Sequence, residues 1–129
     1  MEILDRVMYV EDDPDIREIA AMALEDVGGL TVNICGSGDQ ALQEIQAFNP
    51  QMLLLDVMMP GMDGPATLEA LRHQGLLNES VAVAFMTAKV HPEEIARYKA
   101  LGAIEVIAKP FDPMTLADKV RGVWETFHE

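Results

Sequence analysis

Five polar side chains with a chemical vocabulary stand in comparable places along the 129-residue chain. Glu11 and Asp12, Asp56, Thr87 and Lys109 each follow a short apolar run. Three carboxylates brought together repel one another, and without compensation at least one of them stays protonated. A hard divalent cation relieves that repulsion by taking oxygen ligands, and Mg²⁺ is the natural candidate. Because Mg²⁺ keeps several waters and favours phosphate oxygens, an acid cluster with open positions points to phosphoryl chemistry more than to a structural metal. A lysine can neutralise a phosphoryl oxygen as a point charge, and a threonine hydroxyl can donate to it. With the metal, the two would stabilise charge during in-line transfer.

These residues meet only if the runs before them are strands of one parallel sheet. Short β-rich runs alternate five times with helix-length amphipathic stretches, which reads as α/β with a (βα)5 order. The expected strands are Arg6 to Val10, Thr31 to Cys35, Met52 to Leu55, Val81 to Met86 and Ile104 to Ile107. Met52 to Leu55 is apolar at every position, as a central parallel strand covered on both faces must be. Asp13 and Pro14 suit a helix start, and that helix should end near Gly28. Ser37 and Gln40 have capping-box spacing for a second helix ending before Pro50. A third helix should begin at Pro65, a fourth should run from Pro92 to Leu101, and a fifth should begin at Asp112 and Pro113. In the fifth, Leu116, Val120, Val123 and Phe127 share one face. With strand order 2-1-3-4-5 the first and third strands are neighbours at the switch point, where ligands bind, so the three carboxylates converge.

Composition narrows the function further. Half the residues are hydrophobic, enough for one globular domain, and the 19 residues after Pro110 leave no room for an output domain within this sequence. A net charge of −13 repels phosphate backbones and anionic lipid, so neither nucleic acid nor a membrane is an expected partner. A single cysteine, Cys35, and an N-terminus without a basic or long apolar leader fit a cytoplasmic setting. Cys35 should be a small buried side chain, the nine methionines mostly packing residues, and His73, His91 and His128 surface residues without metal-ligand spacing.

The segments VMYVEDDPDIRE, LLLDVMMPGMDG, FMTA and AKPF, in that order at the strand ends, resemble the receiver domain of two-component response regulators. The resemblance covers nearly the whole chain. It implies a flavodoxin-like doubly wound sheet, Asp56 as phosphoacceptor, and Glu11 with Asp12 as the acidic pair that holds Mg²⁺, Asp12 directly. By the same resemblance Met58 supplies a backbone carbonyl to the metal, Thr87 is the switch hydroxyl, and Lys109 contacts the phosphoryl group, its bond to Pro110 often being cis in this family. The partners implied are a sensor histidine kinase or histidine phosphotransfer protein and a downstream protein target. Kinase recognition is expected to involve Ile16, Pro110 and Phe111.

The sequence departs from the family in one position that matters. Receivers usually carry Tyr or Phe three residues before the lysine, and here that residue is Val106. The aromatic rotamer switch is therefore missing, although the phosphoacceptor chemistry is untouched. The expected function is a stand-alone receiver that modifies itself and is not a turnover enzyme. A phosphate sink and a phosphorylation-independent adaptor are the alternatives. A phosphatase using Asp56 would want a second acid at Met58, and a flavin carrier would want a Ser/Thr/Gly loop where Glu11 and Asp12 stand.

Overall fold

The computed structural model describes residues 2–129. Five strands alternate with five helices: β1 Arg6–Val10, α1 Pro14–Ala21, β2 Thr31–Cys35, α2 Gly38–Phe48, β3 Met52–Asp56, α3 Gly64–His73, β4 Ala82–Thr87, α4 Pro92–Ala100, β5 Glu105–Ala108 and α5 Leu116–Phe127. All pairings are parallel, and the order is 2-1-3-4-5, as expected.

Alternation along each strand divides the core into two layers. Val7, Tyr9, Leu54, Ala84, Met86 and Ile107 face α1 and α5, where Leu116, Val120 and Trp124 close the layer. Met8, Val10, Leu53, Leu55 and Phe85 face the other way, towards Ile45 of α2, Leu68 of α3 and Tyr98 of α4. Every residue of β3 and β4 is buried, which is why their sequences carry no polar alternation.

Helix starts follow the local chemistry. The Asp13 carboxylate accepts from the backbone N–H of Asp15 and Ile16. Ser37 Oγ accepts from Gln40 N–H, whereas the Gln40 side chain reaches back to Gly36 N–H at 2.7 Å. Asp63 caps α3 by accepting from Ala66 N–H at 2.9 Å. At the end of α2, Asn49 adopts the left-handed conformation (φ 54°) that a residue with a short polar side chain tolerates.

Two boundaries differ from the sequence expectation by more than one residue. The first helix leaves α geometry after Ala21 and continues as a π-helical segment, Met22–Val27, before Gly28. Its wider turns keep Ala23 and Leu24 in the core beside Ala20 while Met22 and Val27 stay exposed. The segment ends where α5 crosses closely: a Cβ at Gly28 would lie 2.5 Å from that of Ala117. The regular part of α5 starts at Leu116, not at Asp112 and Pro113. Asp112 instead closes a turn, its side chain accepting from Met114 N–H and its carbonyl from Thr115 and Leu116, and packing against the core begins at Leu116.

Most of the described methionines are packing residues, as expected. Met8, Met52, Met59 and Met86 are buried and Met62 is half-buried, whereas Met22, Met58 and Met114 are exposed; Met1 lies outside the described residues. Cys35 is buried as expected, and His73, His91 and His128 are exposed. Burial, with the Glu44 carboxylate adding to it, pushes the Cys35 thiol up to about 12. The native protein should therefore resist iodoacetamide at pH 8 and alkylate at Cys35 only when unfolded. Rapid labelling of the folded chain, followed by mass spectrometry, would contradict this placement.

Candidate functional site

The sheet itself delivers the five polar residues to one edge. Past the ends of the strands the parallel ladder continues for one further bond each: Glu11 N–H donates to Cys35 O, Val57 N–H to Met86 O, and Lys109 N–H to Thr87 O. Backbone position is thus set by the sheet at the points where the loops begin. Glu11 follows Tyr9 by two residues and Asp56 follows Leu54 by two, so both carboxylates lie one step beyond a side-by-side pair in the register.

Glu11, Asp12 and Asp56 each offer a carboxylate oxygen within 4.8 Å of the others. Glu11 is 1% exposed and Asp56 4%, while Asp12 is half-buried. Lys109 Nζ bridges the two buried acids, donating to Glu11 Oε1 at 2.7 Å and to Asp56 Oδ1 at 3.0 Å. Burial pulls the Lys109 ammonium down, but its hydrogen bonds to Glu11 and Asp56, with their charges, outweigh that effect and leave it above the ordinary lysine value. Its charge is therefore permanent at neutral pH. Thr87 is buried at the end of β4, and its Oγ1 accepts from Lys89 N–H at 3.0 Å, tying the hydroxyl to the loop that follows.

All five expected residues are thus gathered at one end of the sheet. Met58 lies two residues past Asp56 with its side chain 69% exposed. The Lys109–Pro110 bond is cis. Gly64 lets α3 begin against the end of β3, because a Cβ there would stand 2.5 Å from the Asp56 carbonyl oxygen. The donor set fits Mg²⁺: three clustered carboxylates are hard oxygen ligands, and the charge they concentrate is balanced in part by one lysine.

Two residues of the site went unread in the sequence. Arg17 Nη1 donates to the carbonyls of Glu11 (3.0 Å) and Asp12 (2.8 Å), clamping the acidic turn to α1. Tyr9, wholly buried, donates its hydroxyl to Glu11 Oε1 at 3.2 Å. The available signal for Tyr9 was its place two residues before Glu11 on the same face of a strand; for Arg17 it was one turn of helix separating it from Asp13.

Residues 7–121 match the response regulator receiver domain family. The chain belongs to that family. Among curated receiver-containing proteins it is 33% identical over 116 residues to the DNA-binding response regulator MtrA of Mycolicibacterium smegmatis, covering 90% of this chain and 49% of MtrA. It is likewise 33% identical over 121 residues to the transcriptional regulatory protein CseB of Streptomyces coelicolor, covering 94% of this chain and 50% of CseB. The chain spans about half the length of these curated relatives. Among solved receivers it is similar to chemotaxis protein CheY4 of Vibrio cholerae, with TM-score 0.83, 30% identity, and coverage of 93% of this chain and 98% of the other. A CheY-like receiver protein from Methanospirillum hungatei gives TM-score 0.79 and 31% identity, with coverage of 96% and 97%. Among the described residues no helix is long and apolar enough to cross a membrane.

Proposed function

We propose that Asp56 of this receiver domain accepts a phosphoryl group from the phosphohistidine of a sensor kinase or phosphotransfer protein, and that the modified domain signals or relays by protein contact. The observation that carries this reading is the bridge of Lys109 between two buried carboxylates, beside a third half-buried one. Asp56 Oδ1 is held by Lys109, while Oδ2 makes no hydrogen bond among the described residues; no buried side-chain oxygen lacks a partner, so Oδ2 reaches the pocket surface. That oxygen attacks phosphorus, the new O–P bond forms as the donor's N–P bond breaks, and the departing imidazole keeps the electron pair. Lys109 then shifts to a phosphoryl oxygen, and the Thr87 hydroxyl can turn to donate to another. Asp12, Asp56 and the Met58 carbonyl would hold Mg²⁺, with Glu11 acting through water, and the bound ion would neutralise charge on the phosphoryl oxygens. The protein modifies itself and does not turn over a substrate. An intact mass taken after incubation with Mg²⁺ and a small phosphodonor tests the reading; an unmodified chain would refute it.

Asp12 is the carboxylate best suited to direct ligation, since it makes no side-chain hydrogen bond among the described residues, whereas Glu11 accepts on both oxygens. Asp12→Ala should weaken Mg²⁺ binding about tenfold or more, measured by calorimetric titration. Unchanged affinity would remove Asp12 from the ligand set.

Donor approach is expected over α1 and the loop after Lys109. There Ile16, Ile19, Pro110, Phe111 and Pro113 line a small apolar pocket beside the lysine. Ile16 is half-buried and so open to contact. Ile16→Glu should slow transfer from a cognate kinase about tenfold or more while labelling by a small phosphodonor persists; equal loss of both would point to misfolding instead.

We read the output as delivered in trans by a stand-alone receiver in the cytoplasm. The length of MtrA and CseB favours a second reading, in which this domain works within a longer DNA-binding regulator. Under either, the charge of −13 keeps this domain itself off nucleic acid. Immunoblotting the native product for its size separates the two.

A further inference from the structure

We infer that Tyr9 is a positioning residue, a reserve donor that holds Glu11 when Lys109 leaves it for the phosphoryl group. The inference rests on the phosphoacceptor reading above and adds a residue to it.

Glu11 Oε1 receives two donors, Lys109 Nζ at 2.7 Å and the Tyr9 hydroxyl at 3.2 Å. Its second oxygen receives the Asp13 N–H at 3.3 Å. The carboxylate is 1% exposed, so bulk water does not reach an oxygen that loses its donor there. Lys109 gives two of its three N–H donors to Glu11 and Asp56, and a phosphoryl group added to Asp56, with more negative charge than the carboxylate it replaces, would draw the ammonium towards it and away from Glu11. Departure of the lysine would strand Glu11 Oε1 if it were the sole donor. Tyr9 prevents that.

Geometry favours this role over simple satisfaction of a buried phenol. The ring belongs to the layer between the sheet and α5, on the rung beside Leu54, and its hydroxyl points up the strand to the next side chain on the same face. The bond is the longer of the two while Lys109 is present, leaving it room to shorten once the stronger donor has gone. Glu11 is in turn kept on its N–H and hydroxyl partners, with Asp12 left to take the cation.

Tyr9→Phe removes only the hydroxyl and keeps the buried ring. The variant should bind Mg²⁺ within about twofold of wild type or slightly better. Its affinity for beryllofluoride, which mimics the acyl phosphate, should fall about tenfold, as loss of one hydrogen bond to a buried charge implies. Phosphorylation by a small phosphodonor should slow by a similar factor. A merely structural role would loosen the pocket and weaken Mg²⁺ and beryllofluoride together. Parallel loss of both, or wild-type beryllofluoride affinity in the variant, overturns the inference.

Carbon-13 and nitrogen-15 NMR of the wild-type protein gives a second readout that needs no variant. On adding beryllofluoride the Lys109 ammonium signal should move, while the Tyr9 hydroxyl proton stays in slow exchange and coupled to the Glu11 carboxylate. Loss of that hydroxyl signal would equally overturn the role. If wild type binds no beryllofluoride and takes no phosphoryl group, the receiver reading and this inference fall together. If wild type responds and Tyr9→Phe responds equally, only the inference falls.

Discussion

Asp56→Asn will carry no acyl phosphate under conditions in which the wild-type chain gains about 80 Da and loses it again to hydroxylamine. The two buried carboxylates at the sheet edge are not equivalent. Glu11 has both oxygens occupied, one by Tyr9 and Lys109 and the other by the Asp13 N–H. Asp56 has one oxygen held by Lys109 and the other open to the pocket. Only the latter can attack without first breaking a hydrogen bond. An amide at position 56 keeps the shape and can still accept from Lys109, so the fold survives; its nitrogen lone pair is delocalised and forms no stable phosphoryl adduct. Intact mass after exposure to Mg²⁺ and acetyl phosphate reads the result. Labelling of Asp56→Asn at the wild-type level would move the chemistry to another side chain and end the assignment.

How much of this arrangement could be read before the structure depends on what each feature rests upon. β3 and β4 were legible because burial on both faces demands continuous apolar runs, and Met52–Asp56 and Ala82–Thr87 supply them. The site followed directly: in a parallel sheet the residues at or just past the strand ends share an edge, and Asp56 and Thr87 end their strands while Glu11 and Lys109 follow theirs. Features set by distant packing were not legible. The π-helical turns at Met22–Val27 lead into Gly28, which packs closely against Ala117, 89 residues further along the chain. Asp112 and Pro113 are a sound local helix start, yet regular helix waits for Leu116 to meet the core. Apolarity alone did not say that Met22, Met58 and Met114 would be exposed. The roles of Tyr9 and Arg17 depend on how far a side chain reaches, which spacing does not give. Val106 was read as a gap where an aromatic is usual; that a tyrosine on another element would pack nearby was invisible.

That tyrosine is Tyr98, and its truncation should cost a large part of the domain's stability. Tyr98 is 1% exposed and is the one fully buried side chain of α4, whose remaining residues are exposed or half-buried. Its ring meets that of Phe85 with centroids 5.1 Å apart and planes inclined at 50°. Val106, paired with Phe85 in the register, packs against the same cluster. The hydroxyl receives only Arg97 Nη2 at 3.1 Å, from a side chain that is itself exposed. Truncating a buried aromatic to alanine costs about 3–5 kcal/mol, a large share of a stability of about 5–15 kcal/mol. Tyr98→Ala should therefore lower the melting temperature by more than about 10 °C. Tyr98→Phe keeps the ring and gives up a bond to an exposed arginine that water can satisfy instead, so it should cost less than about 1 kcal/mol. A double-mutant cycle with Phe85→Leu should leave a coupling of about 0.5–1.5 kcal/mol, the part due to the aromatic pair. The loss has a place as well as a size. With its single anchor removed, α4 should lose amide protection before the sheet does, and α4 begins five residues after Thr87, so the same anchor holds the segment through which movement of the Thr87 loop would have to pass. Urea unfolding and hydrogen exchange together test the point: a cost for Tyr98→Ala below about 1 kcal/mol, with α4 amides still protected, would show that the helix is held by something other than this ring.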